Sequence, residues 1–409
     1  MELMGNRIRP YAWGSRTAIA ELMGAPSPAP HPQAELWMGA HPGDPSMLIG
    51  PAGERSLPDA IADKPVLMLG ERVEKEFGPR LPFLFKVLAA AEPLSLQAHP
   101  SATQAARGFA LEESSGVPMS SAGRNYKDGS HKPELICALT VFEALCGFRE
   151  PALTVRLLAD LGVPQLDHYL SLLSGQPDQD GVRALFSSIL TIPSSVLEPL
   201  LSAVLSACVR LVRQGSPFPA EYRTVLELGE RYPGDPGVLA SLLLNRVTLQ
   251  PGEALYLAAG NLHAYLAGVG VELMANSDNV LRGGLTPKHV DVPELMRVLD
   301  FRAGNVDVLH GDPIRPGEEV YRTPAPEFRL SRLTLTAEPL DLTHDGPQVV
   351  LLVAGSGTVT DTDGREVGIE RGHSVWVAAD DSGVQISGSG IAFRATDGLA
   401  TPDLPRGIN

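Results

Sequence analysis

Cysteine is scarce in this chain of 409 residues: only Cys137, Cys146 and Cys208 occur, and no two have CxxC spacing. An odd, scattered set excludes a disulfide framework as the basis of the fold and points to a reducing compartment, the cytoplasm. Positive charge is also short. The 33 lysines and arginines stand against 48 acidic residues, for a net charge of −15 at pH 7. Such a chain repels a phosphate backbone, so nucleic acid is not an expected partner. Any anion it binds has to be held by a local basic cluster set against that field. No uninterrupted apolar run reaches the about 18 residues of a membrane-spanning helix, so no membrane is expected either. The opening stretch MELMGNRIRPYAWGS lacks the apolar core of a secretory leader, and none is expected.

What is present divides into blocks. At about 150 residues per domain, two or three domains are expected. Up to residue 150, short apolar runs such as LPFLFKVLAA and ICALTVFEALCGF alternate with Gly, Pro and Asp clusters, the pattern of a largely antiparallel β-domain. PSATQAARGFALEE interrupts it as a short helix with Ser101 as N-cap. Residues 151–246 change period. Leu197, Leu200, Leu201, Val204, Leu205, Cys208 and Leu211 recur at three- and four-residue steps, which makes an amphipathic helix capped by Ser194 or Ser195. Asp235 and Pro236 have the form of N-cap and first residue of another helix. This block is expected to be an all-α packing module. Strand text returns over residues 247–310 as part of the first β-domain. A Pro/Gly-rich joint follows, and residues 311–409 form a last β-domain dense in alternating strands and Gly turns. LQPGEALYLAAG and IERGHSVWVAAD share one pattern, so two similar small barrels are expected, mainly β with a helical insertion.

Four segments carry chemistry. In PLSLQAHPS, apolar Leu94, Leu96 and Ala98 alternate with Ser95, Gln97 and His99, so a strand presents hydroxyl, carboxamide and imidazole on one face. In YKDGSHKPELICAL, Lys132 and Glu134 share a face by the same alternation, and His131 points away from them. In GEALYLAAGNLHAY a strand runs into a Gly turn before His263. Two histidines, one glutamate and one glutamine are ligand types for a divalent ion such as zinc. The remaining histidines, His41 among them, lack ligand-spaced neighbours and are expected to be structural. In GVGVELMANSDNVLRGGLTPKHVDVPEL, Arg282 and Lys288 follow Glu272 and Asp278, and a paired Gly283 and Gly284 permits close backbone approach. This is the local basic cluster that an anion would need. A polar loop paired to itself is the alternative.

The segments YAWGS, AELWMGAHP, PLSLQAHPS, HKPEL, AGNLHAY and VELMANSDNVLRGGLTPKHVDV, spread over residues 11–295, resemble the signature stretches of type I mannose-6-phosphate isomerases. The resemblance implies a cupin-type, jelly-roll-like barrel holding one zinc ion through Gln97, His99, Glu134 and His263, with Arg282 as catalytic arginine. It implies interconversion of mannose 6-phosphate and fructose 6-phosphate through a cis-enediol. It also implies a phosphosugar substrate, a monomer or small homo-oligomer, and a place in mannose breakdown or GDP-mannose supply. The C-terminal residues carry no signature, and RGHSVWVAADDSG lacks the late histidine, so that barrel is expected to hold no metal. For the proton transfer Lys132 and Glu272 are the candidates, with Asp278 behind them. Arg282 would stabilise the enediolate or grip the phosphate, and Lys288 and Ser95 are further phosphate contacts. Zinc would polarise the sugar oxygens or order the pocket. Trp13 and Trp37 are expected to pack the barrel wall. The competing reading is a non-catalytic cupin that binds a sugar phosphate.

Overall fold

Two large antiparallel sheets carry the β-rich text, and helices fill most of the interval between them in sequence. The computed structural model describes residues 1–51 and 53–400.

The strand Phe83–Ala90 shows why the first sheet closes around a site. It is buried at every position, and its sequence FLFKVLAA is almost unbroken apolar text, as a strand covered on both faces requires. Phe83, Phe85, Val87 and Ala89 face the second sheet, where they meet Leu351, Trp376 and Phe393 in one core. Leu88 and Ala90 face the barrel interior with Ile136, Phe142 and Leu255. Lys86 lies on that inner face too, by the period of two. The strand His263–Ala275 is the seam of the barrel. Its C-terminal half pairs with Phe83–Ala90 on one side and Glu134–Ala138 on the other. Its N-terminal half pairs with Phe142–Phe148 and, through His263, with Leu96–Ala98. The change of partner falls at Gly268, where φ is +123° and a Cβ would lie 2.8 Å from the Cα of Phe142. Only glycine turns that corner.

The second sheet is built on Gln348–Thr360 paired with Gln385–Thr396. It differs from the expected partition in one respect. Glu2–Gly5 lies between Ser374–Val377 and Met47–Gly50, so the first strand and the Met47–Gly50 and Gly53–Ser56 hairpin belong to the C-terminal sheet. Sequence adjacency hid this, because strand partners are chosen by edge and face. The joint after residue 310 is also structured: Asp312–Arg315 and Glu318–Tyr321 form a hairpin on the same sheet.

Within the first β-domain, Ser101 is the N-cap of Ala102–Ser114, as expected, and Gln104 closes a full capping box with it. In the helical block, Asp178 caps Gln179–Leu190. The helix Ser194–Gln214 follows Pro193 without a side-chain cap, so neither Ser194 nor Ser195 has the expected role. It ends at Gly215 in the left-handed region. It is long and apolar enough to cross a membrane. Its Leu197, Leu201, Val204, Cys208 and Leu211 are nevertheless packed in a core shared with Leu96, Ala98, Leu262 and Ala264 of the barrel. The helix expected at Asp235 and Pro236 starts one residue later and is a single turn, Gly237–Ala240. A further helix, Val292–Val298, stands where strand text was expected to continue.

Asp397 ties the ends together. Its buried carboxylate accepts hydrogen bonds from Arg72 Nη1 at 2.5 Å and from His344 Nε2 at 2.8 Å. Burial works against the charge, but His344 and Arg72 outweigh it and hold Asp397 down at about 2. A carboxylate held below its ordinary value near 4 contributes stability that is complete above that value. The contribution is lost as pH falls through about 2. Asp397→Ala should cost about 3–5 kcal/mol in denaturant unfolding, because Arg72 and His344 lose a buried partner. Acid unfolding followed by circular dichroism should show the wild type losing its margin over Asp397→Asn across this window. Equal acid sensitivity of the two proteins would refute the assignment.

Candidate metal centre and cavity

The strand Leu96–Ala98 is only three residues long, and its neighbours give it its use. Gln97 stands opposite His263 on one side and opposite Arg282 on the other. Cross-strand partners share a face, so carboxamide, imidazole and guanidinium are brought to one side of the sheet. His99 follows two residues on, and Glu134 opens the strand Glu134–Ala138 across from Met274.

His99, Glu134 and His263 converge. The Nε2 atoms of His99 and His263 lie 3.3 and 3.4 Å from the same Glu134 oxygen, Oε2. All three residues are buried, and these three atoms have no hydrogen-bond partner. The outer nitrogens are spoken for: His99 Nδ1 lies 2.7 Å from the carbonyl of Asn279, and His263 Nδ1 lies 3.1 Å from that of Asn261. A carbonyl only accepts, so each Nδ1 carries the proton and each Nε2 turns a lone pair toward the carboxylate. Burial pushes the His99 imidazole below its ordinary value, which keeps it neutral. Lone pairs aimed at an anion in a dry site repel unless a cation lies between them, and carbonyl partners on the far nitrogens are the usual support of metal-bound imidazoles. The donor set therefore fits a divalent cation. The other Glu134 oxygen is 3.1 Å from Lys132 Nζ.

Beside this group the barrel holds a shelf of buried charge. Lys86 Nζ is 3.2 Å from Glu272 and 3.8 Å from Glu35. The Tyr265 hydroxyl donates to Glu272 at 2.9 Å, and the Trp37 indole donates to Glu35 at 2.6 Å. Burial opposes the charge on Lys86, but Glu35, Glu272 and Glu134 together hold its ammonium above the ordinary range. Glu272 is pushed up, first by burial and then by Glu134 and Glu35, with Lys86 pulling the other way. Asp278 is the contrast. Its carboxyl is held down by a hydrogen bond from His41, whose Nε2 lies 3.3 Å away.

These groups open on one cavity of about 560 Å³. Ser95, Gln97, Lys132, Glu272, Asp278, Arg282 and Lys288, residues singled out from three separate segments, all line it together with Glu134. His99 and His263 are buried and are not among the residues that line it. Burial lowers Arg282 and Lys288 from their ordinary values, and Arg282 adds to the effect on Lys288. Arg282 has no carboxylate partner among the described residues, and neither does Lys288. A half-buried guanidinium and a neighbouring ammonium without counter-ions form a ready anion site.

His131 stays outside, paired with Glu327 at 2.6 Å. Trp13 packs against the inner core with Leu88 and Tyr265, and Trp37 packs with Leu84 and Met274, as expected of wall residues, and both also line the cavity. His41 is not merely structural, since it faces Asp278. Sequence reasoning also passed over Lys86, Glu35 and Tyr265. A lone lysine in an otherwise apolar strand was the available signal, because such a charge must find buried partners. Tyr265 lies two residues beyond His263 on the same face.

Comparison with known proteins agrees with this geometry. Residues 2–151 match the family model described as phosphomannose isomerase type I, catalytic domain. The chain is 41% identical over 403 residues to a mannose-6-phosphate isomerase of Escherichia coli K12, covering 98% of this chain and 100% of the other. It is 32% identical to a Homo sapiens mannose-6-phosphate isomerase, covering 92% of each. A solved structure of a mutant phosphomannose isomerase from Salmonella typhimurium superposes with a TM-score of 0.90 at 38% identity, covering 97% of this chain and 99% of that one. A mannose 6-phosphate isomerase solved with zinc bound gives 0.89 at 37% identity, with the same coverage.

Replacing His99 or Glu134 with alanine should abolish stoichiometric binding of a divalent metal, measured by elemental analysis of dialysed protein. His131→Ala should leave the metal content unchanged. Retention of metal by both of the first two variants would place the ion elsewhere.

Proposed function

Because the chain belongs to the type I phosphomannose isomerase family, we propose that it interconverts D-mannose 6-phosphate and D-fructose 6-phosphate with one zinc ion per chain. The observation that carries this reading is the cavity itself. A cation site, a buried acid–base shelf and an unpaired basic pair share one space of sugar-phosphate size. His99, Glu134 and His263 would hold the zinc, with the carboxamide of Gln97 as the fourth protein ligand. Zinc, when bound, supplies Lewis-acid polarisation of sugar oxygens and order among its ligands.

The protein groups divide the remaining work. Arg282 and Lys288 hold the phosphate, with the Ser95 hydroxyl beside them. This remote grip orients C1 and C2 of the open-chain sugar. Isomerisation removes the proton at C2 while O1 gains one, which gives the cis-enediol. O2 then gives up its proton and C1 takes one, which yields the ketose. Glu272 is the candidate that takes and returns the carbon-bound proton. Its raised value brings a carboxylate toward the operating pH, where general bases are most effective. Lys86 and Tyr265 orient it through their hydrogen bonds. Lys132, beside Glu134, faces the same space and is the second candidate, donating to the substrate oxygens. Asp278 stays anionic under His41 and holds a sugar hydroxyl. Arg282 also lies where it would stabilise the enediolate.

The test is a chelator-stripped protein assayed for fructose 6-phosphate formation before and after zinc is restored. Recovery at about one zinc per chain supports the reading, whereas tight zinc binding without turnover on either phosphosugar would reject it. Glu272→Gln should lower kcat by about 10²–10⁴ with zinc content unchanged. Arg282→Ala should abolish most activity and also keep zinc. The acid limb of the kcat/KM profile should lie above the ordinary carboxylate value. Lys86→Met should move that limb to higher pH, because removing a neighbouring cation raises Glu272 further. A limb that stays in place in Lys86→Met would assign the base to another group.

A further inference from the structure

The phosphate grip proposed above has two sides, and neither is held by the barrel alone. One side is the segment 93–97 with Ser95, and the other runs from Arg282 to Lys288. The ladder between them reaches Leu96 and Gly284 and stops there. Beyond Gly284, the backbone that carries Lys288 has no strand to lie on.

We propose that residues 231–237, where the helical module returns to the barrel, form a clasp that positions this anion subsite, with Asp235 as its positioning residue; the inference rests on the isomerase reading. One end of the turn holds the first side. The Tyr232 hydroxyl donates to the carbonyl of Pro93 at 2.8 Å, and Arg231 pairs with Glu92. The other end holds the second side. Asp235 Oδ2 accepts from the Thr286 amide at 3.1 Å, and Oδ1 accepts from the Gly237 amide at 2.7 Å. A single carboxylate therefore fastens the loop before Lys288 to the module.

The backbone between these points is held in a conformation it would not choose. Leu285 has φ of +56°, the only positive φ at a non-glycine residue among those described. Its side chain is buried in the core of the helical module with Val238, Leu239 and Leu242. Strain of this kind persists only where the surroundings over-determine it. Here they are the leucine socket, the Asp235 bridge and a backbone-to-backbone contact. A Cβ on Gly284 would lie 2.8 Å from the Cα of Gly237, and one on Gly237 would lie 2.7 Å from the amide nitrogen of Leu285. The module thus reaches the chemistry through the loop it pins, without placing a charged group in the cavity.

The experiment uses the zinc-loaded full chain and measures inorganic phosphate affinity by calorimetry, together with KM and kcat for mannose 6-phosphate. Asp235→Ala should weaken phosphate and raise KM, each by about tenfold, with kcat within about twofold of wild type. Asp235→Asn keeps one acceptor and should give a smaller change in the same direction; it carries the test if the alanine variant does not fold. Tyr222→Phe is the control. It removes hydrogen bonds to Leu157 and Asp160 inside the module, so it should lower the melting temperature and leave phosphate affinity alone. Wild-type phosphate affinity in the Asp235 variants, or an equal loss in Tyr222→Phe, would overturn the clasp. A wild-type protein that binds phosphate without isomerising the sugar would instead overturn the isomerase reading. A drop in phosphate affinity on Asp235→Ala would then still support the clasp.

Discussion

Two imidazole lone pairs face one buried carboxylate oxygen, and much of the structure follows from the cation that this arrangement demands. Asn279 and Asn261 offer carbonyls to the outer nitrogens, which fixes both tautomers. The carbonyls are held in turn. The Asn279 side chain is fully buried and bonded to the backbone around Asp128 and Ser130. The segment leading into Lys132 and Glu134 is thereby fastened to the segment leading into Arg282. Ordering the ligands and ordering the reactive groups are one operation.

A dry interior makes charge expensive, and the barrel meets this by pairing. Lys86 and Lys132 stand among Glu35, Glu134 and Glu272, each ammonium shared between carboxylates or placed beside one. Burial is the first cause of a Glu272 carboxyl above its ordinary range, and the nearby Glu134 and Glu35 add to it against the pull of Lys86. A divalent cation at His99, Glu134 and His263 would offset the negative charge of these carboxylates. Arg282 and Lys288 have no such partners among the described residues, so an incoming anion completes them.

The two β-domains and the helices contribute unequally. The sheet-to-sheet core around Phe83, Phe85 and Trp376 gives the barrel a rigid back wall. The helical module shares its core with the strands that carry Gln97 and His263, and it reaches the anion subsite at one place, the turn around Asp235. The separate core around Val350, Val359 and Ile386 lies within the second sheet, and none of its residues lines the cavity.

The sequence by itself determined the alternation that puts Gln97 and His99 on one face, and Lys132 and Glu134 on another. It also determined the helical period of residues 197–211 and the N-cap at Ser101. These are short-range consequences of a period of two, a period of 3.6 and a local hydrogen bond, and they can be read from one segment at a time. The motif blocks further marked nearly every residue that lines the cavity. Tertiary structure alone decided which strands became neighbours. It placed Glu2–Gly5 in the C-terminal sheet, aimed Trp13 and Trp37 into the cavity, turned His41 to Asp278, and bent Leu285 into the helical core. Each of these depends on contacts between residues far apart in the chain, where edge, face and available volume choose the partner and no local period carries that information.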